Sequence, residues 1–310
     1  MKSLTIGSRG SKLALAQTHW VAEQVQRHRP EIQVDVQVIR TTGDKLTTAS
    51  LTQLAGESKG LFVKEIEEAL LARSIDLAVH SLKDVPSTLP EGLAIGVIPR
   101  HEDPRDALIG NRQLTSVSDL EHGAVIGTSS LRRSVQLRGL RPDFKVVPIR
   151  GNVDTRLRKL KEQQLSGVVL ALAGLRRMSL QQHVSNVFSV EEMVPAVGQG
   201  ALGIEIRSDD DKVLNLIGAL EHRPTRTAVE AEREFLRGMG GGCQVPMGAF
   251  VEISEPQSRF LAFLANPSGD QVIRYSNQVS SESLTEEAKQ AVEYFRSEGS
   301  DRILAEVDVP

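Results

Sequence analysis

The sequence predicts an α/β protein in which two sheets built through crossovers are followed by a smaller α+β domain. Three observations carry this expectation. Strand and helix signals alternate through the first hundred residues, the same alternation restarts near residue 124, and the last third changes to a helix, three strands and a closing helix. At 310 residues, 40% hydrophobic and 25% charged, the chain is too long for one simple core, so several domains are expected.

In order, residues 4–8 read as a short strand, and residues 11–29 place Leu13, Ala16, Trp20, Val21 and Val25 at helical spacing. Ile32, Val34, Val36 and Val38 alternate with polar residues through 32–40, the period of a half-buried strand. Residues 41–60 are small and polar with weak periodicity, which suits a lid-like loop. A helix over about 61–73 precedes strands at 75–81 and 93–98. After a crossing at 99–104, the second block reads strand 124–127, helix 131–140, strand 144–149, helix 154–163 and strand 168–171. A second crossing, read as a hinge, covers 195–203, and 201–207 is a strand able to rejoin the first sheet. Helical stretches at 210–220 and 227–236 lead to a glycine-rich loop, strands at 249–253, 260–264 and 272–278, and a helix at 284–296. The expected division is 1–99 with 200–218, then 100–199, then 219–310.

Composition narrows the chemistry. The single cysteine, Cys243, excludes an internal disulfide and a cysteine-rich zinc site. Seven histidines show no metal-ligand spacing, so no metal is expected. Lys2, Arg9 and Lys12 surround only a short apolar run, unlike a secretory signal, and no apolar stretch approaches membrane-spanning length. With a start at Met1, a cytoplasmic protein is expected. The net charge of −3 hides a concentration: between residues 127 and 177, nine arginines and three lysines face three acidic residues, a local charge of +9. Nucleic acid is the usual partner of such a stretch. With two tyrosines and one tryptophan in the chain, and Phe144 the sole aromatic of the basic region, stacking platforms are scarce. Small, multiply charged carboxylates or phosphates fit better.

Open α/β sheets bind ligands beyond the carboxyl ends of their strands. There the second block carries Gly127-Thr128-Ser129-Ser130-Leu131-Arg132-Arg133, whose N–H groups and hydroxyls suit an anion. Arg150-Gly151-Asn152-Val153, with Arg156 one turn on, and Gly174-Leu175-Arg176-Arg177 hold the equivalent places. Arginine's planar fork matches a carboxylate at these strand ends, whereas Arg138, Arg141 and Arg158 read as solvated surface. The first block places Ile6-Gly7-Ser8-Arg9-Gly10-Ser11 and His80-Ser81-Leu82-Lys83-Asp84-Val85-Pro86 likewise, making Asp84 a candidate acid, base or counter-ion. Gly198-Gln199-Gly200-Ala201-Leu202-Gly203 satisfies a dinucleotide pattern but precedes a strand instead of opening a helix, so no such site is expected. Cys243 follows Gly240, Gly241 and Gly242, which leave room for a large group at the backbone. A small buried hydrophobe is its other reading. An anion-binding module without catalysis would use the same strand-end arginines, but would need neither Cys243 nor Asp84.

Arg9-Gly10-Ser11-Lys12-Leu13-Ala14, Lys59-Gly60-Leu61-Phe62, residues 80–86, Glu102-Asp103-Pro104-Arg105-Asp106, and residues 127–133, 150–153, 173–177, 195–200 and 242–246 run in order through almost the whole chain. Together they resemble the porphobilinogen deaminase family. The resemblance implies two α/β domains like the halves of a type II periplasmic binding protein around a hinged cleft, plus a small C-terminal α+β domain. It implies a transferase of tetrapyrrole biosynthesis that joins four porphobilinogen molecules head to tail, releasing ammonia and finally hydroxymethylbilane. Cys243 would carry a dipyrromethane cofactor through a thioether, and Ser81, Lys83, Asp84, Thr128, Ser129, Ser130, Arg132, Arg133 and Gly174 would hold it. Arg9, Ser11, Gln17, Phe62, Arg150, Asn152, Arg156, Arg177, Gln199 and Gly200 would take substrate or growing chain. Asp84 and Lys83 would be catalytic, with Asp84 stabilising the cation left when ammonia departs. The implied partner is porphobilinogen, with no nucleic acid or membrane, and the implied state is a monomer.

Overall fold

The computed structural model describes residues 2–41, 63–110, 116–240 and 245–307. The chain forms two compact units, residues 1–102 with 201–226, and residues 103–200 with 227–310.

The first elements are β1 (Ser3–Arg9), α1 (Lys12–His28), β2 (Gln33–Ile39), α2 (Lys64–Leu71), β3 (Leu77–Ser81) and β4 (Leu93–Val97). Helix α1 starts where it does because the Ser11 side chain accepts the Ala14 N–H at 3.2 Å. It buries Val21, Ala22 and Val25 against Leu4, Ile6 and Val79. Next come β5 (Asp106–Gly110), β6 (Val125–Gly127), α3 (Leu131–Leu140), β7 (Lys145–Val147), α4 (Val153–Glu162), β8 (Gly167–Ala171), α5 (Leu172–Arg177) and β9 (Asn186–Val187). The chain continues through β10 (Leu202–Arg207), α6 (Asp211–Ile217), α7 (Arg223–Gly238), β11 (Met247–Glu252), β12 (Ser258–Ala265), β13 (Val272–Val279), α8 (Leu284–Ser297) and α9 (Ser300–Val307).

The sheet of the first unit has the order β2-β1-β3-β10-β4, with β1 parallel to β2 and β3, and β10 antiparallel to both β3 and β4. The second unit repeats the plan as β7-β6-β8-β5-β9, with β6 parallel to β7 and β8, and β5 antiparallel to β8 and β9. Each sheet thus sets three parallel strands beside one antiparallel strand that the chain supplies just after a passage between units. This is the paired architecture expected of periplasmic-binding-protein-like halves. The remaining sheet, β11-β12-β13, is antiparallel and lies under α7 and α8. Ala228, Ala231 and Phe235 form the apolar stripe of α7, and Phe235 packs edge-on to Phe260 and Phe295 with centroids 6.1 and 5.1 Å away.

Four elements depart from the sequence expectation. Strand β5 has five residues, the first four buried, too short to show alternation, β9 has only two, and α9 follows the helix on which the expectation ends. Residues 172–177 are helical, so Gly174 and Arg177 lie on α5 and not in a loop following β8.

Residues 193–200 are pinned inside the second unit. Val194 N–H donates to Gln136 Oε1 at 2.8 Å, and its carbonyl accepts from Arg132 Nη1 at 2.6 Å and Gln136 Nε2 at 3.2 Å. Gly248 of β11 approaches so closely that a Cβ there would lie 2.4 Å from Pro195 O, an approach only glycine permits. Glu232 of α7, 4% exposed, accepts the N–H groups of Gly198 at 2.7 Å and Val251 at 3.0 Å. Burial pushes its pKa from 4.5 up to about 8, against the opposing pull of those two donors.

The folded chain therefore holds a proton on Glu232 over a range where the unfolded chain has lost it. That contribution is complete below about pH 4.5 and is lost as the pH rises through about 8. We expect the urea midpoint of the wild type to fall from about pH 5.5 to 8.5 more than that of Glu232→Gln, by a difference on the order of 2–4 kcal/mol. The slope is the readout, because the amide meets one N–H donor to donor and lowers stability at every pH. Parallel slopes would remove Glu232 as the cause.

Candidate functional site

In the first unit the predicted residues gather at the carboxyl ends of the neighbouring parallel strands β1 and β3. Arg9 ends β1, half-buried, and Ser11 spends its hydroxyl on capping α1. Gln17 is buried and bonded to Ser81 in both directions, its Nε2 donating to Ser81 Oγ at 2.8 Å and its Oε1 accepting from that hydroxyl at 3.2 Å. Gln17 thereby braces Ser81 at the end of β3. Beneath this level, Thr18 donates to Ser8 Oγ at 2.9 Å, and Ser8 donates to Arg9 O at 3.0 Å.

Residues Leu82–Asp84 make one 3-10 turn. Leu82 anchors it, fully buried, with its N–H on Ala201 O at 3.0 Å, and Val85 N–H closes it on Leu82 O at 3.1 Å. Lys83 is half-buried and Asp84 is exposed. The turn holds an acid in water on a rigid base. His80, one residue before Ser81, lies 2.8 Å from Glu205 Oε2 through its Nε2, and both are buried. Burial first, and Glu205 second, raise the pKa of the neighbouring Glu67 on α2.

In the second unit, the turn after β6 is tied internally. Ser129 Oγ donates to Ile149 O at 2.8 Å, Ser130 N–H donates to Thr128 Oγ1 at 3.2 Å, and the Ser130 side chain caps α3 by accepting Arg133 N–H. The half-exposed Arg150 guanidinium has no partner among the described residues. Asn152 precedes α4 without a side-chain cap, and Arg156 Nε donates to Gly151 O at 2.8 Å. Gly174 gives its carbonyl to the end of α5, and Arg177 Nη2 donates to Gly200 O at 2.6 Å.

Arg132 and Arg133, at the start of α3, turn inward onto Asp106, which is fully buried at the head of β5. Arg132 Nη2 lies 2.8 Å from Asp106 Oδ2, and Arg133 Nη2 and Nε lie 2.7 and 2.9 Å from Oδ1. Gln199 joins them, its Nε2 donating to Asp106 Oδ1 at 3.0 Å and to Pro104 O at 2.6 Å. Both amide protons of Gln199 are thereby used inside the unit. Asp106 is the residue that the sequence reading missed as a participant. Its signal was one acid opening the apolar run Ala107-Leu108-Ile109.

Cys243 and Phe62 lie outside the described residues, as does most of the lid-like segment 41–60. No helix among the described residues is long and apolar enough to cross a membrane.

Comparison with known proteins adds identity to this geometry. A family model described as porphobilinogen deaminase, dipyromethane cofactor binding domain, matches residues 4–215, and one described as porphobilinogen deaminase, C-terminal domain, matches residues 226–294. A porphobilinogen deaminase from Syntrophotalea carbinolica is 46% identical over 307 residues, covering 99% of this chain and 96% of that protein. Another, from Roseiflexus castenholzii, is 51% identical over 249 residues, covering 80% of this chain and 81% of that protein. Among solved structures, the methionine-binding protein MetQ aligns with 70% of this chain and 90% of its own at 12% identity and a TM-score of 0.44.

Proposed function

The chain belongs to the porphobilinogen deaminase family, and from that premise we propose how its residues divide the work. The reaction is the stepwise condensation of four porphobilinogen molecules onto a covalently bound dipyrromethane primer, releasing ammonia and then hydroxymethylbilane. The observation that carries the division is Asp84, a water-facing carboxylate on a turn whose base is buried. Such a group keeps its position and charge while a cation develops beside it, so it favours the transition state over the ground state. Lys83 adjoins it on the same turn, and Gln17 fixes Ser81 at the end of the strand that leads into it.

The donor set suits a ligand rich in carboxylates. The second unit offers Arg150, whose guanidinium has no partner among the described residues, and Arg156 and Arg177 lie on elements that follow β7 and β8. When bound, dipyrromethane supplies the end to which the first new pyrrole is joined. In this proposal Cys243, between α7 and β11 in sequence, anchors it. Arg132 and Arg133 hold it, and Arg9 and Arg150 take carboxylates of substrate and chain. The protein acts as a cytoplasmic monomer without nucleic acid.

Arg150→Gln tests the arginine assignment. Losing one charge-assisted hydrogen bond, about 1.5–3 kcal/mol, should raise KM for porphobilinogen roughly ten- to a hundredfold and stall the ladder of enzyme-bound intermediates seen by intact mass. An unchanged KM and ladder would return Arg150 to solvated surface.

A further inference from the structure

The buried cluster at the head of β5 is unbalanced in charge. Two guanidiniums, with side chains 5% and 7% exposed, share one carboxylate. Among the described residues their other hydrogen bonds go to neutral carbonyls: Val194 O takes Arg132 Nη1, and Val169 O takes Arg133 Nη1 at 3.2 Å. Burial lowers the pKa of Arg132, Asp106 offsets this, and the neighbouring Arg133 lowers it further. Guanidinium does not shed its proton in proteins, and an uncompensated buried charge is costly. One more anion would balance the cluster.

We propose that Asp106 is the resident counter-ion of Arg132 and Arg133, which leaves the pair able to take one further carboxylate, a single carboxylate of the dipyrromethane, and not two. This rests on the reading that the two arginines hold the cofactor. Asp106 touches no ligand in this scheme. It is a positioning residue that aims both guanidiniums and sets the number of carboxylates they accept. Gln199 supports it by donating to the same Oδ1 that Arg133 uses.

Full-length protein made without porphobilinogen and then mixed with it can be followed by intact mass as the covalent adduct forms. Asp106→Ala removes the charge and opens a carboxylate-sized space. We expect adduct formation slowed at least ~tenfold, restored by sodium formate and not by sodium chloride at equal ionic strength, in protein whose circular dichroism matches wild type. Asp106→Asn keeps the shape and should be slow with or without formate. Wild-type loading by either variant without formate overturns the proposal. Slow loading of Asp106→Ala that formate leaves unchanged also overturns it, since packing alone would then explain the loss. Should neither variant fold, the wild type decides: formate should raise the melting temperature of cofactor-free protein and not of loaded protein, and equal shifts overturn the proposal. Arg133→Gln separates this inference from its premise. Normal loading there removes the premise, whereas failed loading there with normal loading in the Asp106 variants removes only the role of Asp106.

Discussion

Asp84→Asn is expected to fold and acquire its cofactor as the wild type does, and to lose turnover by about 10²–10³-fold, the scale of removing one preorganised electrostatic stabiliser. The fold should survive because the turn is held by Leu82 and by backbone bonds, none of which involves the Asp84 side chain. Turnover should not survive. Departure of ammonia from the aminomethyl group leaves a positive charge on the substrate, and the amide offers a dipole where the carboxylate offered a full negative charge. Single-turnover mixing with porphobilinogen, read by intact mass, should show the cofactor adduct in place and further additions arrested. Full activity in that variant would sink the assigned role.

Cys243→Ser is expected to yield protein with no stable covalent adduct, and turnover at background. Thiolate is the reactive form of cysteine near neutral pH, whereas a serine hydroxyl without an activating base is a weak nucleophile. The chain has no second cysteine to substitute for it. The variant should remain folded, since α7 and the sheet of β11, β12 and β13 close their core through Phe235, Phe260 and Phe295. The measurement is intact mass with peptide mapping after exposure to porphobilinogen. Covalent dipyrromethane on the serine variant would contradict the attachment.

Much of this was legible in the sequence where the signal is local. Helix α1 declares itself through Ser11 before a run of apolar spacing, and the strand-to-helix turns at 127–131 and 150–153 follow from short apolar runs ending in glycine or small polar residues. Asp84 was legible because a turn-forming acid before Val85-Pro86 ends a buried strand. The burial of Arg132 and Arg133 was not. Two adjacent charges at a helix start carry no local sign of facing inward, and their counter-ion lies some 27 residues earlier on another strand. The pairings of Gln17 and Gln199 were hidden for the same reason: each has a partner far away in sequence, Ser81 for one, Pro104 and Asp106 for the other. Periodicity finds elements, whereas long-range polar pairing must be seen.

Strand β10 lies between β3 and β4, which are not hydrogen-bonded neighbours of one another. During synthesis, residues 1–102 therefore emerge with their sheet split, and the joining strand Leu202–Arg207 arrives only about a hundred residues later, on the order of 5–20 s at ordinary translation rates. Through that interval β3 carries an unpaired apolar edge of the kind that invites aggregation. The sheet of the second unit draws all five strands from one continuous stretch, Asp106 to Val187, and meets no such delay. Of these two sheets, the one begun first is thus the one completed last.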